Sequence, residues 1–239
     1  MLAVALDSAG AAAVRDFIRP PQQNRAMLAV MAWEGELADR AAPPRYPCLI
    51  DERHVVAELY GIANVPTAVW IDEEGHIARP PEHPGATDSF RTLDFATGRV
   101  APERLADARL RRRIYVDAVR DWIEHGPASR HVLPPDEVRR RMRGVDRDDS
   151  VAAAHFRLAL WLARAGDLPA AQVHFDEALR LRPDRWTFRR QKIVLSDPAL
   201  TGQLAATPEY WQAVLALGQE YYYPPVEMEG MPPPLPPPA

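Results

Sequence analysis

The stretch AAAHFRLALWLARAGDLPAAQVHFDEALRLRP, residues 152–183, constrains the fold more than any other part of this 239-residue chain. Leu158, Ala159 and Leu162 fall at helical spacing, and so do Ala171, Phe175 and Ala178. Between the two sets, Gly166-Asp167 supplies a tight turn, and Pro183 stops the second set. Alanine at 159, 171 and 178 lets two antiparallel helices approach closely. One such pair cannot bury all its faces. The next stretch, from about 184 to 195 with Trp186, Phe188, Ile193 and Val194, is expected to cover it, as is a helix around Tyr210 to Leu217.

The first hundred residues have a different texture. Apolar runs alternate with helical stretches, which is an α/β pattern. Leu2 to Leu6 reads as a buried parallel strand, followed by a helix capped by Asp7 or Ser8 and closed by Pro20. Met27 to Trp33 reads as helical. Asp51 can cap a helix carrying Val55, Val56, Leu59 and Tyr60, with Gly61 at its left-handed end. Thr67 to Ile71 is a strand. Asp72 to Gly75 makes a turn, His76 to Ala78 starts the return strand, and RPPEHPG reads as an exposed loop.

Residues 102–125 form a long helix whose apolar stripe joins Ile114, Ala118 and Trp122 to Tyr115, Val119 and Ile123. The run Arg111-Arg112-Arg113 reads as a solvated helix face, in preference to an anion site. Pro134 and Pro135 open a short helix. From Pro224 onward the chain is mostly proline, which predicts an extended, mobile tail without a core of its own.

Composition excludes several classes of function. A net charge of −4 gives no electrostatic footprint for nucleic acid. No apolar run is long enough to span a bilayer, and the N-terminus lacks the features of a signal peptide. The single cysteine, Cys48, excludes an internal disulfide, so a cytoplasmic location is expected. The seven histidines show no metal spacing, and no nucleotide-binding glycine motif occurs. No cofactor is expected. His54, His155 and His174 read as single packed or exposed histidines.

Two resemblances add to this reading. The segment 152–183 matches one tetratricopeptide repeat along its length. With one repeat, a structural annex is favoured over a concave partner-binding surface. The segment YPCLIDERHVVAELYGIANVPTAVWIDEEGHIARPPE resembles the second half of thioredoxin-like proteins of the ResA and TlpA type. Asp51, Tyr60-Gly61, Val65-Pro66-Thr67, the strand after them, Asp72 and Gly75 carry that resemblance in order and spacing. MLAVALD resembles the family strand that follows the active-site helix.

The resemblance implies a thiol-disulfide oxidoreductase fold in which Pro66 is cis and Asn64, Val65, Pro66 and Thr67 form the substrate-side loop. The backbone of Val65 would pair there with an extended thiol or disulfide peptide or protein. The residues alone allow a plainer reading, with Pro66 merely starting a strand. The family's Cys-x-x-Cys helix, and the strand before it, would lie upstream of Met1 and are not in this sequence. That strand would separate the MLAVAL strand from the TAVWI strand. Without it the two are expected to pair directly or leave backbone groups unsatisfied. The stretches NVP…VWIDEEG…RPPE and RRQK resemble a selenocysteine subgroup with the motif WAxxUGxxU, so a truncated selenoprotein is one expectation. Cys48 reads as a small buried hydrophobe and a weak redox candidate.

The expected organisation is an incomplete α/β thioredoxin-like domain over 1–98, connecting helices over 99–147, an all-α tetratricopeptide-like region over 148–218 and a disordered tail over 219–239. The expected function is that of a thiol (or selenol) oxidoreductase whose redox motif is missing from this chain, leaving it inactive. The alternative is a non-catalytic interaction module holding a protein partner through the repeat.

Overall fold

The structure, a computed structural model, describes residues 1–18, 46–94, 96–142, 144–197, 200 and 207–238. The helix expected through Met27–Trp33 and the closing Pro20 lie outside the described residues. The protein is mixed α/β. In chain order the elements are β1 (Ala3–Ala5), α1 (Ala11–Ile18), β2 (Cys48–Ile50), α2 (Val55–Leu59), β3 (Ala68–Ile71) and β4 (Ile77–Glu82). The helices α3 (Pro102–His125), α4 (Pro135–Arg141), α5 (Arg147–Arg164), α6 (Leu168–Leu181), α7 (Trp186–Ser196) and α8 (Pro208–Leu215) follow. No helix among the described residues is long and apolar enough to cross a membrane.

The chain forms two compact units that do not follow the boundary expected near residue 98. Of the described residues, one unit holds 1–18, 46–65 and those within 144–212; the other holds 66–142 and 213–238. The strand-helix segments at the start of the chain therefore belong with the helical repeat.

In the first unit, β1 and β2 pair in parallel, with Ala3, Val4 and Ala5 opposite Cys48, Leu49 and Ile50. The helix pair α5 and α6 forms as its sequence predicts. An aspartate capping box starts α5, with Asp149 N–H donating to Asp146 Oδ1 at 2.8 Å. Gly166 takes the left-handed turn at φ 86°, and the Asp167 side chain caps α6. Ala152, Ala159, Ala171, Phe175 and Ala178 are fully buried between the helices. Phe156 stacks on Phe188 of α7, with ring centroids 4.0 Å apart, so α7 covers the pair as expected. Burying each such ring contributes roughly 1.5–3 kcal/mol.

Polar contacts tie the strand segments to this helical core. Ser8 Oγ donates to Gln191 Oε1, the Thr187 amide donates to the Ala63 carbonyl at 3.1 Å, and Arg157 pairs with Glu58. Asp149 also accepts from Arg182 and Arg185 at 3.2 and 3.1 Å, holding the start of α5 to the α6–α7 junction.

In the second unit, β3 and β4 form an antiparallel hairpin, with Trp70 opposite Arg79. Asp72 Oδ1 accepts from the amides of Glu74 and His76, and Gly75 sits at φ 85°, closing the turn. The strands β1 and β3 lie in separate two-stranded sheets among the described residues, so of the two outcomes expected of them direct pairing is not the one seen. The return strand is longer than expected. The residues RPPE, read as an exposed loop, belong to β4, and Arg79 and Pro80 are buried. Proline is tolerated there because, among the described residues, β4 pairs on one side only.

Arg79 is fixed within the extended strand. Its guanidinium makes two bonds to Glu82, at 2.8 and 2.9 Å, and donates to the carbonyls of His131 and Glu227. Tyr115 on α3 donates to Glu82 Oε1 at 2.9 Å and accepts from the Trp70 indole at 2.8 Å. Burial in this network, next to the Glu82 charge, pushes the Tyr115 phenol up from its ordinary range. The apolar stripe of α3 is narrower than its spacing predicts. Tyr115 and Ala118 are buried and Trp122 stacks on Trp70, whereas Ile123 is 75% exposed.

The proline-rich tail takes no helix or strand, in keeping with an extended backbone, but it is bound along its length. Arg111, expected on a solvated face, is buried and donates to the carbonyls of Pro232 and Pro233 at 3.0 and 2.7 Å. Arg104 donates to the Pro236 carbonyl and Tyr221 to that of Leu235. Val226, Met228 and Met231 pack against Trp70 and Tyr115, so the tail also contributes to a core. The chemistry is complementary. Proline offers carbonyl acceptors and no N–H, while arginine offers donors and no acceptor.

Candidate functional site

Asp51 organises the segment that carries the candidate residues. Its carboxylate accepts from the amides of Val55, Val56 and Ala57 at 2.8, 2.7 and 3.2 Å, satisfying the first turn of α2. The helix is short and closes at Gly61, whose φ is 65°, as the sequence predicts. For Asp51 to reach those amides the chain must turn sharply before α2. His54 makes that turn at φ 55°, ψ 29°, the only non-glycine residue with positive φ among those described. Histidine tolerates this region better than most residues, at some cost.

The expected substrate-side residues follow α2. Asn64 is buried, and its Oδ1 accepts from the Val65 amide at 2.9 Å. Residues 64–66 form a bend that leads into β3, and Pro66 is exposed. The Pro66 carbonyl is paired with His83 Nδ1 at 2.8 Å. Burial is the main influence on His83 and holds its imidazole below the ordinary histidine range. Thr67 leads into the hairpin.

Cys48 opens β2, opposite Ala3, and is half-buried. Its thiol lies 3.6 Å from the Tyr46 carbonyl. It is a free cysteine, and it sits on a strand, without the helix N-terminus that activates a nucleophilic thiol.

Two features escape the sequence pattern. The first is a cavity of about 150 Å³ in the first unit. Its apolar wall comes from Ala57, Ile62, Ala153, Phe156 and Phe188. His54 also lines it, 3% exposed, with its ring edge-on to Phe156 at 5.0 Å between centroids. Neither His54 ring nitrogen has a hydrogen-bond partner among the described residues. Burial, with Arg190 and Arg164 acting in the same direction against Asp51, holds His54 at about 4. The imidazole is therefore neutral near pH 7. Four charged residues of the lining are paired with each other, Arg157 with Glu58 and Arg185 with Asp149, and Arg53 is exposed.

The second is a histidine pair. His155 of α5 and His174 of α6, expected to stand singly, meet with their Nδ1 atoms 2.9 Å apart. One ring must donate to the other, which requires that at least one be neutral. No group of three or more potential metal ligands occurs among the described residues. Neither feature has a sequence motif, because each depends on which helix faces which.

Comparison with protein-family models, with curated proteins and with solved structures finds no match to this chain.

Proposed function

We propose that this chain carries the partner-facing framework of a thioredoxin-like thiol- or selenol-disulfide oxidoreductase of the ResA/TlpA type, and that it does not itself reduce disulfides. The observation that carries the reading is the local order along residues 51–82. An Asp51-capped helix ends at a left-handed Gly61, a bend at 64–66 follows, and an antiparallel hairpin turns at Asp72 and Gly75. That is the order the resemblance calls for. The substrate is a thiol or disulfide peptide or protein, met along Asn64 to Thr67. Pairing through the Val65 amide requires Asn64 Oδ1 to release it. Any redox step runs through a mixed disulfide or selenenylsulfide on a residue other than Cys48.

Reduction of insulin by the purified chain with dithiothreitol is the first test. The expected result is no acceleration over dithiothreitol alone, and robust turnover overturns the claim of inactivity. The oxidoreductase assignment is tested by the intact mass and selenium content of the protein from its source cells. A mass above 26.8 kDa with added cysteine or selenocysteine supports it, and a mass equal to this chain without selenium overturns it. A second reading, a non-catalytic interaction module, is favoured by the exposed apolar side chains of the helix pair. Trp161 on α5 is 64% exposed, and Val173 on α6 is also exposed.

A further inference from the structure

The cavity beside His54 combines three observations that point to a ligand. Its volume, about 150 Å³, matches that of an apolar protein cavity large enough to hold benzene. One part of its wall is aromatic and aliphatic, with Phe156 stacked on Phe188, and the rest carries the paired charges of Glu58, Arg157, Asp149 and Arg185. Of the buried polar side chains that line it, Asp149 and Arg185 are paired with each other, whereas His54 has no partner on either ring nitrogen among the described residues. Buried polar atoms are nearly always hydrogen-bonded, so an orphaned imidazole in a cavity wall is an unfilled bonding site.

The chemistry of the missing partner follows from the surroundings. A neutral imidazole has one bare nitrogen, which accepts, and one N–H, which donates. A carboxylate has only acceptors, so it can take the His54 N–H but leaves the bare nitrogen without a donor. A cation finds no unpaired acid in the wall, because Glu58 and Asp149 are engaged by Arg157 and Arg185. A plain hydrocarbon fits the wall and leaves both nitrogens unsatisfied. A neutral ring bearing one hydroxyl suits the volume and the apolar wall and supplies a donor to the bare nitrogen of His54.

We propose that this cavity binds a monocyclic phenol group, with its ring against Phe156, Phe188 and Ile62 and its hydroxyl donating to the bare nitrogen of His54. The group comes either from a free small phenol or from a tyrosine side chain of a bound polypeptide. The site is independent of the oxidoreductase reading, since it uses neither Cys48 nor residues 64–67.

The test is a nuclear magnetic resonance titration of the full-length chain labelled with ¹⁵N-histidine, using phenol, toluene and N-acetyl-tyrosinamide at pH 7. Phenol is expected to shift the His54 ring nitrogens saturably and to leave the exposed His76 unmoved. Toluene has the same ring without the donor, and is expected to bind roughly tenfold more weakly, the size of one hydrogen bond. Saturation by N-acetyl-tyrosinamide as well as phenol supports a tyrosine source; saturation by phenol alone supports a free phenol. Absence of a saturable His54 shift with phenol overturns the proposal, and so does toluene binding as tightly as phenol. The phenol–toluene comparison needs no substitution, so it stands even if a His54→Phe variant, expected to abolish the shift, fails to fold.

Discussion

Replacing His54 with asparagine and following stability against pH isolates the cost of burying that ring. Asparagine is chosen because it accepts positive φ, so the φ 55° turn before α2 is kept. In the folded chain burial holds His54 at about 4, against an ordinary value of 6.5. Between those values the unfolded chain holds a proton that the folded chain does not, so stability rises with pH across this window. Acidification from 6.5 to 4 therefore removes stability, and below 4 the loss levels off. The gap corresponds to ~3 kcal/mol at 1.36 kcal/mol for each tenfold step. The charged groups that act on the ring, Asp51, Arg164 and Arg190, are present in both proteins. The informative quantity is the difference between the wild type and His54→Asn. Urea unfolding followed by circular dichroism at several pH values from 7 to 4 should show wild type losing ~3 kcal/mol more than the variant. Parallel curves, or a His54 resonance that titrates near 6.5, would refute the argument that burial governs this residue.

Two further substitutions test the supports of the candidate segment and of the hairpin. Asp51→Ala removes the acceptor of three first-turn amides and should lower stability by ~1–2 kcal/mol, read from the urea midpoint at constant slope. Glu82→Ala strands the buried Arg79 guanidinium and should cost ~3–5 kcal/mol, whereas the double change Arg79→Met with Glu82→Leu should cost clearly less, because no uncompensated charge remains.

Much of the local structure was legible in the sequence. Helical spacing, Gly166-Asp167 and Pro183 define the α5–α6 pair, and the Asp51 cap and Gly61 define α2, because each rests on contacts within a few residues. The hairpin turn at Asp72 and Gly75 is local in the same sense. The limits of β4 were not legible. A run such as RPPE is hydrophilic and proline-rich by composition, and only the acceptors on Glu82, His131 and Glu227 make burial of Arg79 favourable. Arg111 has one local partner, Asp107, but its contacts with the Pro232 and Pro233 carbonyls come from more than a hundred residues away. The tail reads as coreless by itself because it lacks amide donors, and becomes ordered only against a surface that supplies them.

The candidate residues divide along the same line. Asn64, Val65, Pro66 and Thr67 are candidates by resemblance, and residues 64–66 form a bend before β3. The His54 cavity and the His155–His174 contact carry no pattern, since they arise where residues distant in sequence meet. The sequence by itself determined which stretches turn, cap and pair locally, since those interactions close over a few residues and do not depend on the rest of the fold. Only the tertiary structure decided which of the chain's charges and rings are buried and against what, because desolvation and pairing depend on the far partner that arrives.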